Sequence, residues 1–441
     1  MAARSLQLGR IEMAIVGGAS LYKPDTLVVF SLAQSMSSSG SRPFDAEADG
    51  LIVGEGFGAA VLKTLPRALA DGDRIWGVIR GLGVSSDGRG KSLWAPRKEG
   101  QIKAIRRAYA SGLEMRRLGY IEAHATSTPL GDATELNAMA EVLRDHIPPT
   151  AKIPVGSVKA NIGHALEAAG IAGFLKAVLS MQHGLVPPAV NVRTLNPNID
   201  WDQAPFYVPM SPTPWPASAD GRPRRAAVNA FGIGGLNMHI VLDEFAESDS
   251  RSVAVPSAMP KAVKTAAQIR QEQSVAVIGM GCIFPGAGNV AAFGDLLASG
   301  RDPKCQAPSD RWRADLAYRP GATQLYRTPT TLGGFITGFT YDWRSHKIPP
   351  RQVAGADPLQ FMLLAAADQA LKDSGYDTKA FDRARTGVIV GTVSGDDFSA
   401  RLQMGLRLPQ FKRTLAQVLA EQGVHEDQIG EIAEQGSMTV L

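Results

Sequence analysis

The chain has 441 residues, 44% of them hydrophobic and 20% charged. This is an ordinary globular balance, long enough for more than one sizeable core and unlike that of a disordered chain. Its 46 basic and 42 acidic side chains leave a net charge of +4 with no continuous basic run, which argues against a nucleic-acid partner. Two cysteines, Cys282 and Cys305, exclude a disulfide framework and a zinc site of several thiolates. No apolar stretch is long enough for a bilayer, and Arg10 and Glu12 interrupt the N-terminal region where an export signal needs unbroken apolar residues, so the expected setting is cytoplasmic, without membrane or metal.

In chain order, Met13–Gly18 and Phe57–Leu65 are short apolar runs that predict buried strands, and LPRALADGDR predicts a helical turn ending at Gly72. Ile75–Val84 returns to strand character. Ile102, Ile105 and Ala108 then recur at helical spacing, with a stop at Gly112. The alternation continues through the strand YIEAHATS, a helix after Gly131 and the strand IPVGSV, a pattern of α/β layers. Beyond VLDEFAE, residues 248–273 are polar and small and read as a linker. Ser274–Gly281 and Gly387–Thr392 predict further buried strands, and PLQFMLLAAADQALKDSGY between them predicts a helix with a stop at Gly375.

Four stretches carry chemistry. In YIEAHATSTPLGDATEL, His124 follows an apolar strand and precedes hydroxyl residues and a glycine turn, an arrangement that projects an imidazole into a cleft. VKANIGHALEAAG puts His164 ahead of an alanine-rich helix, and on spacing alone such a Gly-His pair is usually a cap or packing turn. NAFGIGGLNMHIVL has glycines at 232, 234 and 235 that let backbone amides turn inward. PFDAEADGLIVGEG carries Asp45 and Glu55, which look like paired acids, though loop hydrogen bonding is the favoured use. GMGCIFPGAG is glycine-rich but lacks the ordered GxGxxG of a dinucleotide site.

These stretches resemble the EAHGTGTPLGD, KSNIGH and glycine-rich motifs of β-ketoacyl synthases, with Ala125 in place of a usual glycine and Leu236 in place of a common threonine. The resemblance implies a thiolase-like layered α-β-α-β-α fold and decarboxylative Claisen condensation of acyl and malonyl thioesters in fatty acid or polyketide biosynthesis. By the same match, His124 and His164 are the catalytic histidines, Lys159 and Glu135 form a supporting ion pair that holds His164, and Thr126 and Thr128 contact the phosphopantetheine arm. Ile233 and Gly234 belong to the oxyanion loop and acyl gate, and His239 is structural. No cofactor is implied on the chain itself, because phosphopantetheine on an acyl carrier protein brings the acyl or malonyl thioester. A homodimer, or pairing of complementary ketosynthase segments, is the implied assembly.

GMGCIFPGAGN, SDRW (Ser309–Trp312), GGFI (Gly333–Ile336) and ADPLQFMLL (Ala356–Leu364) resemble the opening of the same family's domain, yet they follow the motifs that should close it. The chain therefore reads as two incomplete units: 1–247, lacking its front and nucleophile elbow, and 274–441, the front of a second, as in tandem-ketosynthase polyketide or polyunsaturated fatty acid synthases. No DTACSSS-like nucleophile motif occurs, and neither Cys282 nor Cys305 matches its place. The chain alone is thus expected to lack condensing activity. A non-catalytic chain-length-factor-like partner, or an inactive truncated fragment, is the alternative. The two pieces could also pack together as one circularly permuted domain.

Overall fold

The computed structural model describes residues 1–22, 24–89, 95–148, 150–218, 220–246, 274–309, 311, 314, 318–321, 327–392, 397–425, 428–430 and 432. The expected linker, Asp310 and Trp312 of the SDRW stretch, and residues 393–396 lie outside the described residues. The chain divides into a unit of residues 1–340 and 362–392 and a unit of 341–361 and 393–441.

In the first unit, ten strands form a mixed sheet: β1 (Met13–Ser20), β2 (Gly56–Thr64), β3 (Gly77–Ser86), β4 (Tyr120–Glu122), β5 (Ile153–Gly156), β7 (Phe206–Tyr207), β9 (Arg225–Gly232), β10 (Leu236–Asp243), β11 (Val275–Ile283) and β14 (Thr386–Gly391). Their order is β14-β1-β2-β11-β3-β10-β9-β4-β5-β7. Short ribbons pair β6 (Leu185–Val186) with β8 (Thr213–Pro214) and β12 (Cys305–Gln306) with β13 (Leu332–Gly333). The sequence VAVIGMGCI is buried at every position of β11, as an unalternating apolar run requires of a strand covered on both faces. That strand runs antiparallel to β2 along its length but meets β3 only at Val275–Val277. The sheet thus falls into two groups joined at one corner.

Helices complete the layers. Helix α7 (Ala169–His183) touches β1 and β2 of one group and β4 and β9 of the other, so it lies between them. Beside it, α1 (Ala2–Gln7) supplies Ala2, Ala3 and Leu6 to the same apolar cluster. One outer face carries α4 (Lys98–Ala108) and α5 (Pro129–Leu143), with Ile105, Leu136 and Met139 buried together. The opposite outer face carries α3 (Leu65–Ala70) and the first unit's part of α10 (Pro358–Asp373). There Gly281 permits contact, because a Cβ on it would stand 2.1 Å from the Ala366 carbonyl oxygen. Among the described residues, the other α-helices of this unit are α2 (Pro24–Leu32), α6 (Lys159–Ile162) and α8 (Val290–Ala298). This is the expected α-β-α-β-α layering.

The second unit contains α9 (Pro350–Gly355), the start of α10 and α11 (Asp397–Glu421). Tyr341 packs on Phe361 at 4.6 Å between ring centroids.

The predicted stops at Gly72, Gly112 and Gly375 all have positive φ, the conformation in which glycine ends a helix. Two expectations change. Helix α5 begins at Pro129, not after Gly131, because proline fits a first turn whose N–H groups are unpaired in any case. The strand expected to be buried at Gly387–Thr392 is instead β14, which ends the sheet order with a neighbour on one side, has no fully buried residue and leaves Val388 68% exposed. The glycine-rich stretch 229–242 forms the β9–β10 hairpin, with Gly234 and Gly235 in its turn.

Candidate functional site

His124 and His164 come together although the elements carrying them are far apart in sequence. Their ring centroids are 5.4 Å apart and the rings nearly perpendicular, and both side chains are half-buried. His124 stands just past β4, and the adjoining backbone is fixed by Glu135 on α5. The Glu135 Oε1 accepts from the His124 amide and its Oε2 from the Ala125 amide, each at 2.8 Å. The Asn229 Nδ2 on β9 donates to the same carboxylate at 2.7 Å.

His164 follows Gly163, which ends α6 at φ 79, a conformation that glycine adopts without penalty. The His164 amide donates to the Ile52 carbonyl at 2.7 Å and its carbonyl accepts from the Gly54 amide at 3.0 Å. Gly334 of the GGFI stretch bonds to the other side of the same segment: its amide donates to Val53, and its carbonyl accepts from the Glu55 amide. Three motifs distant in sequence are laced into one small ribbon around the histidine.

The tautomers follow from backbone donors. The Phe231 amide donates to the His124 Nδ1 at 3.3 Å, and the Leu166 amide donates to the His164 Nδ1 at 3.0 Å. An Nδ1 that accepts carries no proton, so each neutral ring keeps its hydrogen on Nε2. Burial, then the Lys159 ammonium, then the neighbouring imidazole hold His124 well below the usual histidine range. Burial and Lys159 bring His164 down to about 3. Lys159 is itself buried and lowered by that burial, opposed by the charges of Glu122, Glu135 and Asp132.

The expected Lys159–Glu135 ion pair is not formed. The Glu135 carboxylate is occupied by the two amides and Asn229, so it orients the backbone at His124, and Lys159 acts on it only through space. The buried ion pair in this region is Lys176–Glu122 at 3.0 Å, with Glu122 also accepting from the Val158 amide and the Tyr120 hydroxyl. Sequence reading missed it. Its one signal was a lysine and a glutamate set inside otherwise apolar elements.

Thr126 and Thr128 are half-buried beside His124, with their hydroxyls 3.0 Å apart. The Asp132 carboxylate accepts from the Thr126 and Phe44 amides, and burial pushes it up to about 7. Ala125 is fully buried in the apolar cluster that includes Ala133 and Leu136, so its methyl group packs inward. Ile233 and Gly234 occupy the exposed turn between β9 and β10, two and three residues beyond the Phe231 amide. Leu236 opens β10 and is exposed.

Asp45 and Glu55 do not pair. Asp45 accepts from the Glu47, Arg193 and Thr194 amides, whereas Glu55 accepts from the Ile336 amide and pairs with Arg311 at 3.2 Å. Cys282 is buried in β11 and burial pushes its thiol far up, while Cys305 is exposed in β12 and also raised. Among the described residues no group of histidine, cysteine and carboxylate side chains could hold a metal ion, and no helix is long and apolar enough to cross a membrane.

Comparison with known proteins places this geometry. The family model for the Beta-ketoacyl synthase, N-terminal domain matches residues 1–68 and 272–422, on either side of a match to the Beta-ketoacyl synthase, C-terminal domain at 76–193. The Ketoacyl-synthetase C-terminal extension matches residues 196–278. The chain is 43% identical over 245 residues to the 6-methylsalicylic acid synthase of Penicillium expansum, covering 55% of this chain and 14% of that protein. It is 42% identical over 247 residues to a phenolphthiocerol/phthiocerol polyketide synthase of Mycobacterium tuberculosis, covering 55% and 13%. The chain therefore spans only a small part of the length of these curated relatives. Among solved structures, the ketosynthase from module 6 of the bacillaene synthase of Bacillus subtilis 168 matches with TM-score 0.54 and 39% identity, over 56% of this chain and 45% of that one. The oxazolomycin ketosynthase domain OzmH KS7 of Streptomyces albus JA3453 matches with TM-score 0.53 and 36% identity, over 58% and 45%. The paired histidines, one just past β4 and one just past α6, the five-layer fold and the family matches lead to one conclusion: this chain belongs to the β-ketoacyl synthase family.

Proposed function

We propose that this chain supplies the extender-side half of a β-ketoacyl-[acyl-carrier-protein] synthase in polyketide or fatty acid biosynthesis, binding a malonyl thioester and promoting its decarboxylation. The observation that carries the reading is the pair of imidazoles whose Nδ1 atoms both accept backbone hydrogen bonds. Two neutral rings with centroids 5.4 Å apart, each with an Nε2–H group, offer two donors to one thioester carbonyl oxygen. In the step, the bond from the malonyl carboxylate carbon to the α-carbon breaks and carbon dioxide leaves. The electron pair passes to the α-carbon and the enolate oxygen, where the two N–H donors stabilise the charge. Protonation of the α-carbon then gives the acetyl thioester. Attack of the same carbon on the carbonyl of an acyl thioester instead forms the carbon–carbon bond, breaks the acyl carbon–sulfur bond and releases the sulfur as a thiol, giving the condensation product.

The substrate arrives on the phosphopantetheine arm of a carrier protein in the cytoplasm, with the Thr126 and Thr128 hydroxyls and the turn at Ile233 and Gly234 beside the arm and its carbonyl. Lys159 biases both rings toward neutrality. Neither cysteine is the acyl-accepting nucleophile in this reading, and the assembly is a homodimer or a pairing with complementary ketosynthase segments.

The test is release of carbon dioxide and formation of acetyl-coenzyme A from malonyl-coenzyme A by the chain. Each of His124→Ala and His164→Ala should lower kcat by about 100-fold or more. Turnover unchanged by both substitutions would sink the reading.

A further inference from the structure

We propose that His239 is a positioning residue for His124, acting through the Asn229 amide and the Glu135 carboxylate. His239 and Asn229 face each other across β10 and β9, and the His239 Nδ1 lies 2.6 Å from the Asn229 Oδ1. The other end of the same amide donates to the Glu135 Oε1, which also accepts the His124 amide. His239, Asn229 and Glu135 are all nearly fully buried.

The polarity of this chain is determined by its acceptor. The Glu135 carboxylate faces two backbone N–H groups and can take only a donor from Asn229, so the Asn229 NH2 points to it and the carbonyl oxygen points to His239. The His239 Nδ1 must then carry the proton. Its Nε2 is buried with no hydrogen-bond partner among the described residues, as is the hydroxyl of Tyr109, whose ring lies 5.6 Å away. A side chain needed only to fill this space would be apolar, since an unpaired buried acceptor is costly. What the imidazole gains in exchange is the Nδ1–H that fixes the Asn229 amide. Gly83 stands opposite His239 on β3 and lets α4 close over the strand, since a Cβ there would lie 1.8 Å from the Ala104 carbonyl oxygen. The relay is therefore sealed from solvent on that side and ends at the backbone that aims the catalytic ring.

The kinetic arm of the test rests on the decarboxylation reading and the spectroscopic arm does not. The full chain is labelled with 15N-histidine, and the His124 nitrogen signals are followed beside malonyl-coenzyme A turnover. In His239→Leu the His124 signals should lose their single Nε2–H pattern, and kcat should fall about tenfold or more with KM changed less than about twofold. In His239→Asn the new amide nitrogen takes the place of Nδ1 and should restore both. A folded His239→Leu with wild-type His124 signals and kcat overturns the proposal, as does an asparagine variant no better than leucine. If the leucine variant does not fold, Asn229→Asp decides. It sets a second carboxylate against Glu135 and should move the His124 signals, and unchanged signals overturn the relay. A wild-type chain that releases no carbon dioxide defeats the decarboxylation reading, while the His124 signals still decide the positioning role.

Discussion

An imidazole that donates from Nε2 while Nδ1 accepts has to be neutral, and His164 is kept neutral by burial and by the Lys159 charge. Its folded-state value of about 3 lies below the ordinary 6.5, so the folded chain binds fewer protons than the unfolded one between those limits. This contribution to stability is therefore fully present above 6.5 and is lost as pH falls toward 3. His124 and His239 are lowered in the same direction, while Asp132, raised to about 7, contributes with the opposite sign. The expected outcome is that His164 keeps its neutral Nε2–H signature at about pH 5, where an ordinary histidine is mostly charged. Nitrogen chemical shifts measured from about pH 7 down to 4 check this, and a midpoint near the ordinary histidine value would contradict it. At this scale the motifs gave the identities of both histidines. They could not give the tautomers, which depend on amides at Phe231 and Leu166 that sequence patterns do not distinguish, nor the true partners of Glu135.

Elements were legible where burial was uniform. Strand β11 could be read from its unbroken apolar run, and α4 from its apolar spacing with a glycine stop. The β9–β10 hairpin was not, because its turn glycines dominate a stretch whose flanking residues alternate only weakly. The ribbon around His164 was equally hidden, since it depends on backbone contacts between 52–54, 164 and 334. Its tightness makes a prediction at the level of the element. A Cβ on Gly54 would stand 2.2 Å from the Ile162 carbonyl oxygen, and one on Gly334 would stand 2.0 Å from the same atom. Gly54→Ala should cost roughly 1–3 kcal/mol by overpacking against backbone, and it should slow decarboxylation because the Gly54 amide holds the His164 carbonyl. Gly72→Ala is the matched control. Its Cβ meets nothing within 4 Å, so it should cost only about 1–2 kcal/mol for a left-handed conformation and leave turnover unchanged. Urea titrations of both variants with parallel rate measurements separate the effects, and equal turnover in the two would argue against the ribbon as the support of His164.

For the molecule, the question is whether the two sequence pieces behave as one cooperative body. Sequence order alone left that open, because strand order in a sheet is a non-local property. In the structure, β11 and β14 of the later piece pair with β2, β3 and β1 of the earlier one. Buried polar contacts reinforce the junction within the first unit. The Lys304 ammonium donates to the carbonyls of Ala160 and Asn161 at 2.6 and 2.9 Å, the Asn161 Nδ2 donates to the Arg301 carbonyl, and Arg311 pairs with Glu55. Lys304→Met keeps much of the aliphatic stem but removes the ammonium donor from the Asn161 carbonyl and leaves the Ala160 carbonyl only the longer bond from the Asn191 Nδ2, so it should destabilise the first unit by about 2 kcal/mol. If the pieces form one body, that loss shifts the whole transition of the sheet, early and late strands together. Hydrogen exchange during urea unfolding reads this directly: amides of β2 and β11 should lose protection at one urea concentration in the wild type and at one lower concentration in the variant. Loss of protection in β11 while β2 remains protected would mean that the later piece docks on a body already stable without it, and the permuted single-domain packing would be wrong.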